Sequence, residues 1–332
     1  MAQPTLADIG ELELLARLQP FCAQELLGDD AAVLPPRSHA PVITTDVLVD
    51  GVHFSDRTTP PTAVGWRAIA TNLSDLAAMG ARPTGVTVGL ALPGATPITW
   101  VEQVYQGMAD CLQTHGGKII GGDVVRSAQK VLSITAIGEV VPQRVIRRDR
   151  AQPGHVILVT GWHGAARAGL ELLLSPEPSE QLPKADQQAL IQAHQRPLPR
   201  LDVIDSLASL PDREFKAIAG MDSSDGLANA VLWLCQASGV GAQLRRSRLP
   251  IPPSLGPWMG NETALQWCLY GGEDFELVLC LSAETALELL PWLGDRANII
   301  GTIEAGAGVV LVDDVDDEPD LTLSWDGCYQ HF

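Results

Sequence analysis

Six times along this chain an acid stands directly beside glycine, serine, threonine or alanine in an otherwise apolar stretch. The places are GDDAA (28–32), ITTD (43–46), NLSDLAAMGA (72–81), IIGGDVV (119–125), GMDSSDGLANA (220–230) and YGGEDFELVL (270–279). None of these strings contains a lysine or an arginine. Carboxylates in apolar surroundings are costly unless they are paired or hold a cation. A fold that accommodates them has to gather them around hard cations, and with hydroxyls from Thr44, Thr45 and Ser224 nearby the oxygen-rich set suits Mg²⁺. Glycine next to the acid lets a phosphate approach the backbone and turns N–H groups toward an anion. Single positions have plainer uses. Asp222 or Ser223 serves equally as a cap for the helix that follows, and Asp75 as a solvated helix residue. It is the recurrence that favours multi-ion phosphate chemistry.

Around these strings the chain alternates between helix and strand patterns. Leu12, Leu14, Leu15 and Leu18 give a helix over 8–18 one apolar face. AAVLP (31–35) and PVITTDVLVDGVHF (41–54) read as strands, 62–80 as a long helix between Thr62 and Gly80, TGVTVGLALP (84–93) as a strand and 97–114 as a helix. GKIIGGDVV (117–125) and KVLSITAIGEVV (130–141) are two further strands. RRDRAQPGH (147–155) then breaks the pattern, which predicts domains over 1–150 and 151–332; a length of 332 residues exceeds one ordinary core. The second half resumes with a strand at HVILVTG (155–161) and a helix over 164–174. A Pro- and Gln-rich insertion over 175–199, a helix at SSDGLANAVLWLCQASG (223–239) and a strand at FELVLCLS (275–282) follow. The mixture predicts an α+β, or mixed α/β, fold in both halves.

Charge and motifs exclude whole classes of function. A formal net charge of -18 argues against a nucleic-acid partner and against an anionic membrane surface. Neither an apolar run long enough for a bilayer nor a signal-peptide pattern occurs, and the six scattered cysteines read as reduced thiols, so a cytoplasmic protein is expected. There is no P-loop, no G-x-G-x-x-G after a strand, no kinase H-R-D or D-F-G set and no G-x-S-x-G. If the chain uses ATP, it does so outside the common nucleotide-binding folds.

GDDAAVL, TTDVLVDGVHF, ATNLSDLAAMGARP, GGDVVRS, DSSDGLA, YGGEDFELVL and IGTI occur in this order over nearly the whole chain. In them the chain resembles the thiamine-monophosphate kinases of bacterial thiamine biosynthesis. These belong to the superfamily of aminoimidazole ribonucleotide synthetase and selenophosphate synthetase. The resemblance implies a two-domain PurM-like fold whose N-terminal sheet pairs with that of a second subunit in a homodimer, a C-terminal α/β domain, and ATP in the cleft between the domains. It implies transfer of the γ-phosphoryl group of ATP to thiamine monophosphate, giving thiamine diphosphate and ADP, with several Mg²⁺ ions. By matching position, Asp30, Thr44, Thr45, Asp46, Asp75, Asp123 and Asp222 look like Mg²⁺ ligands, with Asp225 holding a further ion. Gly122, Asp123, Arg148, Ser224 and Tyr105 look like ATP contacts. His53 and Glu273 look like contacts to thiamine monophosphate, and Trp325 like a stacking partner for its rings. Asp46, Asp123 and Arg148 are then the groups closest to catalysis, with Arg147 as an alternative to Arg148.

Related reactions fit less well. Selenophosphate synthetase requires a reactive cysteine in a glycine-rich segment, and Cys22 stands in QPFCAQ. The hydrogenase-maturation relative requires a cysteine at its C-terminus, and Cys328 lies four residues short of it. A non-catalytic Mg-nucleotide sensor on the same fold stays distinguishable by turnover.

Overall fold

The computed structural model describes residues 4–23, 38–175, 182–314 and 319–329. The chain divides into two units, Met1–Leu76 with Ala81–Val141, and Ala77–Gly80 with Pro142–Phe332. The strand expected at 31–35 and the acids of GDDAA, Asp29 and Asp30, lie outside the described residues.

The first unit contains α1 (Leu6–Leu18), β1 (Ala40–Val49), α2 (Pro61–Ala78), β2 (Arg82–Leu92), α3 (Ile98–His115), β3 (Ile119–Arg126) and β4 (Val131–Val140). Its sheet runs β1-β4-β2-β3, antiparallel except for the parallel β2/β3 pair. Strand β4 shows why one face is covered: Leu132, Ile134, Ala136 and Val140 are buried, and the intervening Ser133, Thr135 and Ile137 are half-exposed. Period-two alternation of this kind defines a sheet with one face packed and one left open. Helix α2 starts with Pro61 in its first turn, one residue before the expected cap Thr62, because proline fits where no intrahelical partner for its nitrogen is needed. It ends as expected at Gly80 (φ 73°), where Gly80 N–H bonds the Ala77 carbonyl and Ala81 N–H the Leu76 carbonyl. Helices α2 and α3 cross at glycines, with Gly65 against the Val104 carbonyl and Gly107 against the Thr62 carbonyl.

The second unit contains β5 (Val156–Val159), α4 (Ala165–Leu174), α5 (Lys184–Gln195), α6 (Leu201–Leu207), α7 (Asp212–Ala217), β6 (Ala219–Asp222), α8 (Leu227–Ser238) and β7 (Gly241–Arg245). These are followed by α9 (Leu255–Met259), α10 (Asn261–Tyr270), β8 (Leu277–Leu281), α11 (Ala283–Leu293), β9 (Asn298–Glu304), β10 (Val309–Val312) and β11 (Leu321–Leu323). The seven strands run β11-β10-β7-β9-β5-β8-β6, parallel only between β10 and β7. Strands β5, β6 and β8 are buried at every residue, which explains their continuous apolar runs. This is the mixed α/β fold expected.

One expectation needs correction. The strand read over 41–54 stops at Val49, because Asp50-Gly51 turns the chain with Gly51 at φ 81°. His53 therefore sits in a turn and not on a strand. The 175–199 insertion carries helix α5, which buries Leu190 and His194, four residues apart, on one face. Among the described residues no helix is long and apolar enough to cross a membrane.

Candidate active site

In the first unit, β1 and α2 bring together the acids that the sequence keeps apart. Thr44 and Asp46 are half-buried on one face of β1, and Thr45 points to the other. The Thr44 hydroxyl donates to the Asp75 carboxylate on α2. One turn earlier on the same helix face, fully buried Asn72 accepts the Asp46 main-chain N–H through Oδ1 at 3.2 Å, while its Nδ2 donates to the Ala68 carbonyl at 3.0 Å. Asn72 thus fixes where β1 passes α2. It stands inside NLSDLAAMGA but had no visible partner in the sequence. The Thr45 hydroxyl is committed to Thr135 on β4, at 2.8 Å on the open face. Thr45 can serve an ion on the Asp46 side only through its carbonyl.

Asp123 is not brought into this cluster within one chain. Register places Asp46, Ile134, Val88 and Gly122 in one row across the sheet, with β1 and β3 at opposite edges. Three strand spacings separate the ends of that row, about 14 Å. Asp123, exposed, accepts its neighbour's Val124 N–H at 2.9 Å. A Cβ on Gly122 would fall 2.2 Å from the Val88 carbonyl oxygen, so only glycine fits there. His53 takes the Val49 N–H on Nδ1 at 3.1 Å, and its carbonyl accepts from Arg67 at 3.3 Å. Tyr105 is buried on α3, its ring centroid 5.8 Å from that of Phe21, and burial pushes its phenol pKa up. Its ring neighbour Phe21 lines a cavity of about 330 Å³ together with Cys22, Ala109, Gln113 and Lys118.

In the second unit the DSSDG and GGEDFE strings meet. Buried Asp222 ends β6 and receives the Ser224 hydroxyl at 3.3 Å; Asp225 is exposed just ahead of α8. Neither Asp222 nor Ser223 caps α8, whose N-cap is Gly226 at φ 102°. The Ser223 hydroxyl instead meets His163 Nε2 at 3.0 Å; burial lowers the His163 pKa to about 4 and keeps that ring neutral. Glu273 N–H donates to the Ser224 carbonyl at 2.7 Å, joining the two strings. Glu273 and Phe275 adopt left-handed backbone angles, φ 61° and 53°, at a cost of about 1–3 kcal/mol each. His194 of α5 lies 3.7 Å from Glu273. Glu276 is held by Arg200 Nη1 at 2.5 Å and by the Thr160 hydroxyl at 2.6 Å.

Of the adjacent arginines, Arg147 is committed to Asp149 by two bonds of 2.9 and 2.8 Å. The exposed Arg148 guanidinium makes no hydrogen bond among the described residues, which leaves it available to an anion. Trp325 opens a short turn, half-buried, with its ring centroid 4.9 Å from that of Trp233 at 62°. Trp233, 40% exposed, widens the aromatic surface there.

Burial drives the Asp274 carboxyl up to about 7, against two backbone N–H bonds that oppose the shift. Because this folded pKa lies above the ordinary 3.8, folding favours the protonated form. That stabilisation is present in full below pH 4 and is lost as pH rises through 7. Against Asp274→Asn, the unfolding free energy of the unmodified chain is expected to fall as pH rises from 4 to 8, measured by urea unfolding at several pH values. A pH-independent difference would contradict this.

The donor set fits Mg²⁺. Thr44, Asp46, Asp75, Asp123, Asp222 and Asp225 offer only oxygen, in ones and twos. No group of three His, Cys, Asp or Glu side chains is close enough to cage an ion among the described residues. Mg²⁺ is commonly held by one or two carboxylates plus waters and substrate phosphates.

Two family models match the chain: AIR synthase related protein, N-terminal domain, over residues 28–140, and AIR synthase related protein, C-terminal domain, over residues 152–314. The chain is similar to thiamine-monophosphate kinase of Synechococcus elongatus, 49% identical over 334 residues, covering 100% of this chain and 99% of the relative. It is similar to the crystal structure of thiamine-monophosphate kinase from Stenotrophomonas maltophilia K279a, with 36% identity, 90% and 94% coverage and a TM-score of 0.76. It is also similar to a structure described as AaThiL complexed with AMPPCP and TMP, with 31% identity, 97% and 99% coverage and a TM-score of 0.73.

Proposed function

This chain belongs to the thiamine-monophosphate kinase family of AIR synthase related proteins, and we propose that it transfers the γ-phosphoryl group of ATP to thiamine monophosphate, giving thiamine diphosphate and ADP. The observation that carries this is full-length similarity at 49% identity, together with a relative whose structure is described with AMPPCP and TMP. Purified chain is expected to release ADP from Mg-ATP only when thiamine monophosphate is added. Release without it would favour a nucleotide-sensing role.

The chemistry asks for alignment more than for a base. Thiamine monophosphate is an anion near neutral pH, so its attacking oxygen needs little activation. The barrier lies in bringing two phosphate anions into line and neutralising their charge. Bound Mg²⁺ supplies that neutralisation. Asp30, Asp46, Asp75, Asp123 and Asp222 are assigned to hold it, with the Thr44 hydroxyl, the Thr45 carbonyl and, for a further ion, Asp225. Arg148 adds a fixed cation, Gly122 gives the phosphates close access to backbone, and Ser224 and Tyr105 complete the nucleotide contacts. His53 and Glu273 orient thiamine monophosphate. Trp325 offers its cationic thiazolium an aromatic face worth about 0.5–2 kcal/mol. The need for ATP and Mg²⁺ suits a cytoplasmic enzyme of thiamine biosynthesis.

A homodimer is part of this proposal. The open face of the first sheet exposes Ile43, Val47 and Val125, an apolar surface suited to a second copy of the same sheet. Asp46 and Asp123 stand on opposite edges, so an ion shared by both takes one of them from the other subunit. Inactive Asp46→Asn and Asp123→Asn proteins, mixed and allowed to exchange, are therefore expected to regain up to about a quarter of full activity. A mixture that stays inactive despite exchange would contradict the shared site.

A further inference from the structure

We propose that Asp274 is a positioning residue for thiamine monophosphate, a clamp that aims Glu273 by tying the 271–276 loop to the first turn of α4. This rests on the assignment of Glu273 to that substrate. Among the described residues Glu273 and Phe275 are the non-glycine positions with positive φ, and Asp274 stands between them. L-residues persist in that region only where their surroundings over-determine the backbone. Here the surroundings can be counted. Glu273 N–H is fixed to the Ser224 carbonyl, the Phe275 side chain is buried, and Glu276 is held by Arg200 and Thr160.

Asp274 supplies the remaining tie. Its Oδ2 accepts the Gly164 N–H at 2.7 Å and its Oδ1 the Ala166 N–H at 2.8 Å. Helix α4 has glycine at its N-cap and no capping side chain of its own. The carboxylate therefore satisfies amides that lack intrahelical partners and faces the positive end of the helix dipole. One planar carboxylate bonded to amides two residues apart fixes both the position and the rotation of Asp274. The direction in which the preceding side chain leaves the loop is fixed with it. Each Asp274 oxygen is engaged by an amide, and the role assigned to Asp274 is the direction it gives Glu273.

The test uses the full chain and equilibrium binding. Asp274→Asn replaces one acceptor oxygen by an NH₂ that cannot accept from an amide. The Kd for thiamine monophosphate is expected to rise at least tenfold, and that for a non-hydrolysable ATP analogue to stay within twofold. Glu273→Gln is expected to weaken the same substrate, and the double variant to be no weaker than the worse single, because both changes act through one carboxylate. A folded Asp274→Asn that binds thiamine monophosphate normally, equal losses for both ligands, or multiplying losses in the double variant would overturn the proposal. If Glu273→Gln itself binds normally, the substrate assignment fails, and the clamp fails with it. Should Asp274→Asn not fold, Ala166→Pro withdraws one donor from a first turn that tolerates proline. About a threefold rise in Kd is expected there, and an unchanged Kd in that folded variant overturns the clamp.

Discussion

Asp46→Asn is expected to lower kcat at least a thousandfold and leave the fold intact. The substitution keeps size and shape, and the contact that sets β1 against α2 runs through the main-chain N–H of residue 46 to Asn72, which the side-chain change does not touch. What is lost is one full negative charge beside Thr44 and Asp75, where the phosphates' counter-ions are to be held. Removing one preorganised electrostatic group from a reacting centre costs about 10²–10³ in kcat. A carboxylate that holds a divalent ion in phosphoryl transfer lies at or beyond the upper end of that range, about 4 kcal/mol. Unchanged circular dichroism and melting temperature would separate this from unfolding. Thr45→Val is the matched control on the adjacent residue: its hydroxyl serves Thr135 on the open face, so only a small change in kcat is expected. A comparable loss in Thr45→Val, or activity within tenfold of normal in Asp46→Asn, would remove Asp46 from the centre of the reaction.

Gly107→Val is expected to prevent the first unit from folding, or to destabilise it by about 4 kcal/mol or more. The added Cβ would lie 1.8 Å from the Thr62 carbonyl oxygen and 2.7 Å from its carbon, which is main chain of a neighbouring helix and not a movable side-chain tip. The reciprocal contact is equally close, Gly65 Cβ to the Val104 carbonyl oxygen at 1.8 Å, so α2 and α3 cannot yield by rolling over each other. They would have to separate. Helix α2 also carries Asn72 and Asp75, so any folded fraction is expected to lose activity as well. Urea unfolding and kcat measured on one preparation test both parts. A stable, active Gly107→Val would mean that the helices do not cross here.

The local features of this fold were legible for physical reasons that act over a few residues. Gly80 announced the end of α2 because glycine takes the left-handed angle of that cap without a Cβ penalty. The alternation in KVLSITAIGEVV announced a half-buried strand, and β4 is one. Asp50-Gly51 carried a turn signal too, but β-branched residues on both sides masked it, and His53 was placed on a strand. Helix α5 was hidden by composition, since its exposed face is almost entirely polar and Leu190 and His194 are its buried residues. The candidate site was half legible. The acids stood out because small neighbours flank them, yet their grouping depends on strand order, which no local pattern encodes. That order sets Asp46 and Asp123 on opposite edges of one sheet. Opposite facing of Thr44 and Thr45 follows directly from the two-residue period of a strand, and it divides two residues that resemblance alone had treated alike. What the sequence did not show was the distant partner that places each of Asn72, Arg200 and Asp274: Asp46, Glu276 and Ala166 lie 26, 76 and 108 residues away.

The most direct test of the central claim follows the phosphorus itself. The chain is incubated with γ-³²P-labelled ATP, Mg²⁺ and thiamine monophosphate, and the products are separated by chromatography. The account predicts label in thiamine diphosphate, in one-to-one step with ADP, and its disappearance in Asp46→Asn. Label released as inorganic phosphate, with no labelled thiamine diphosphate, would contradict it.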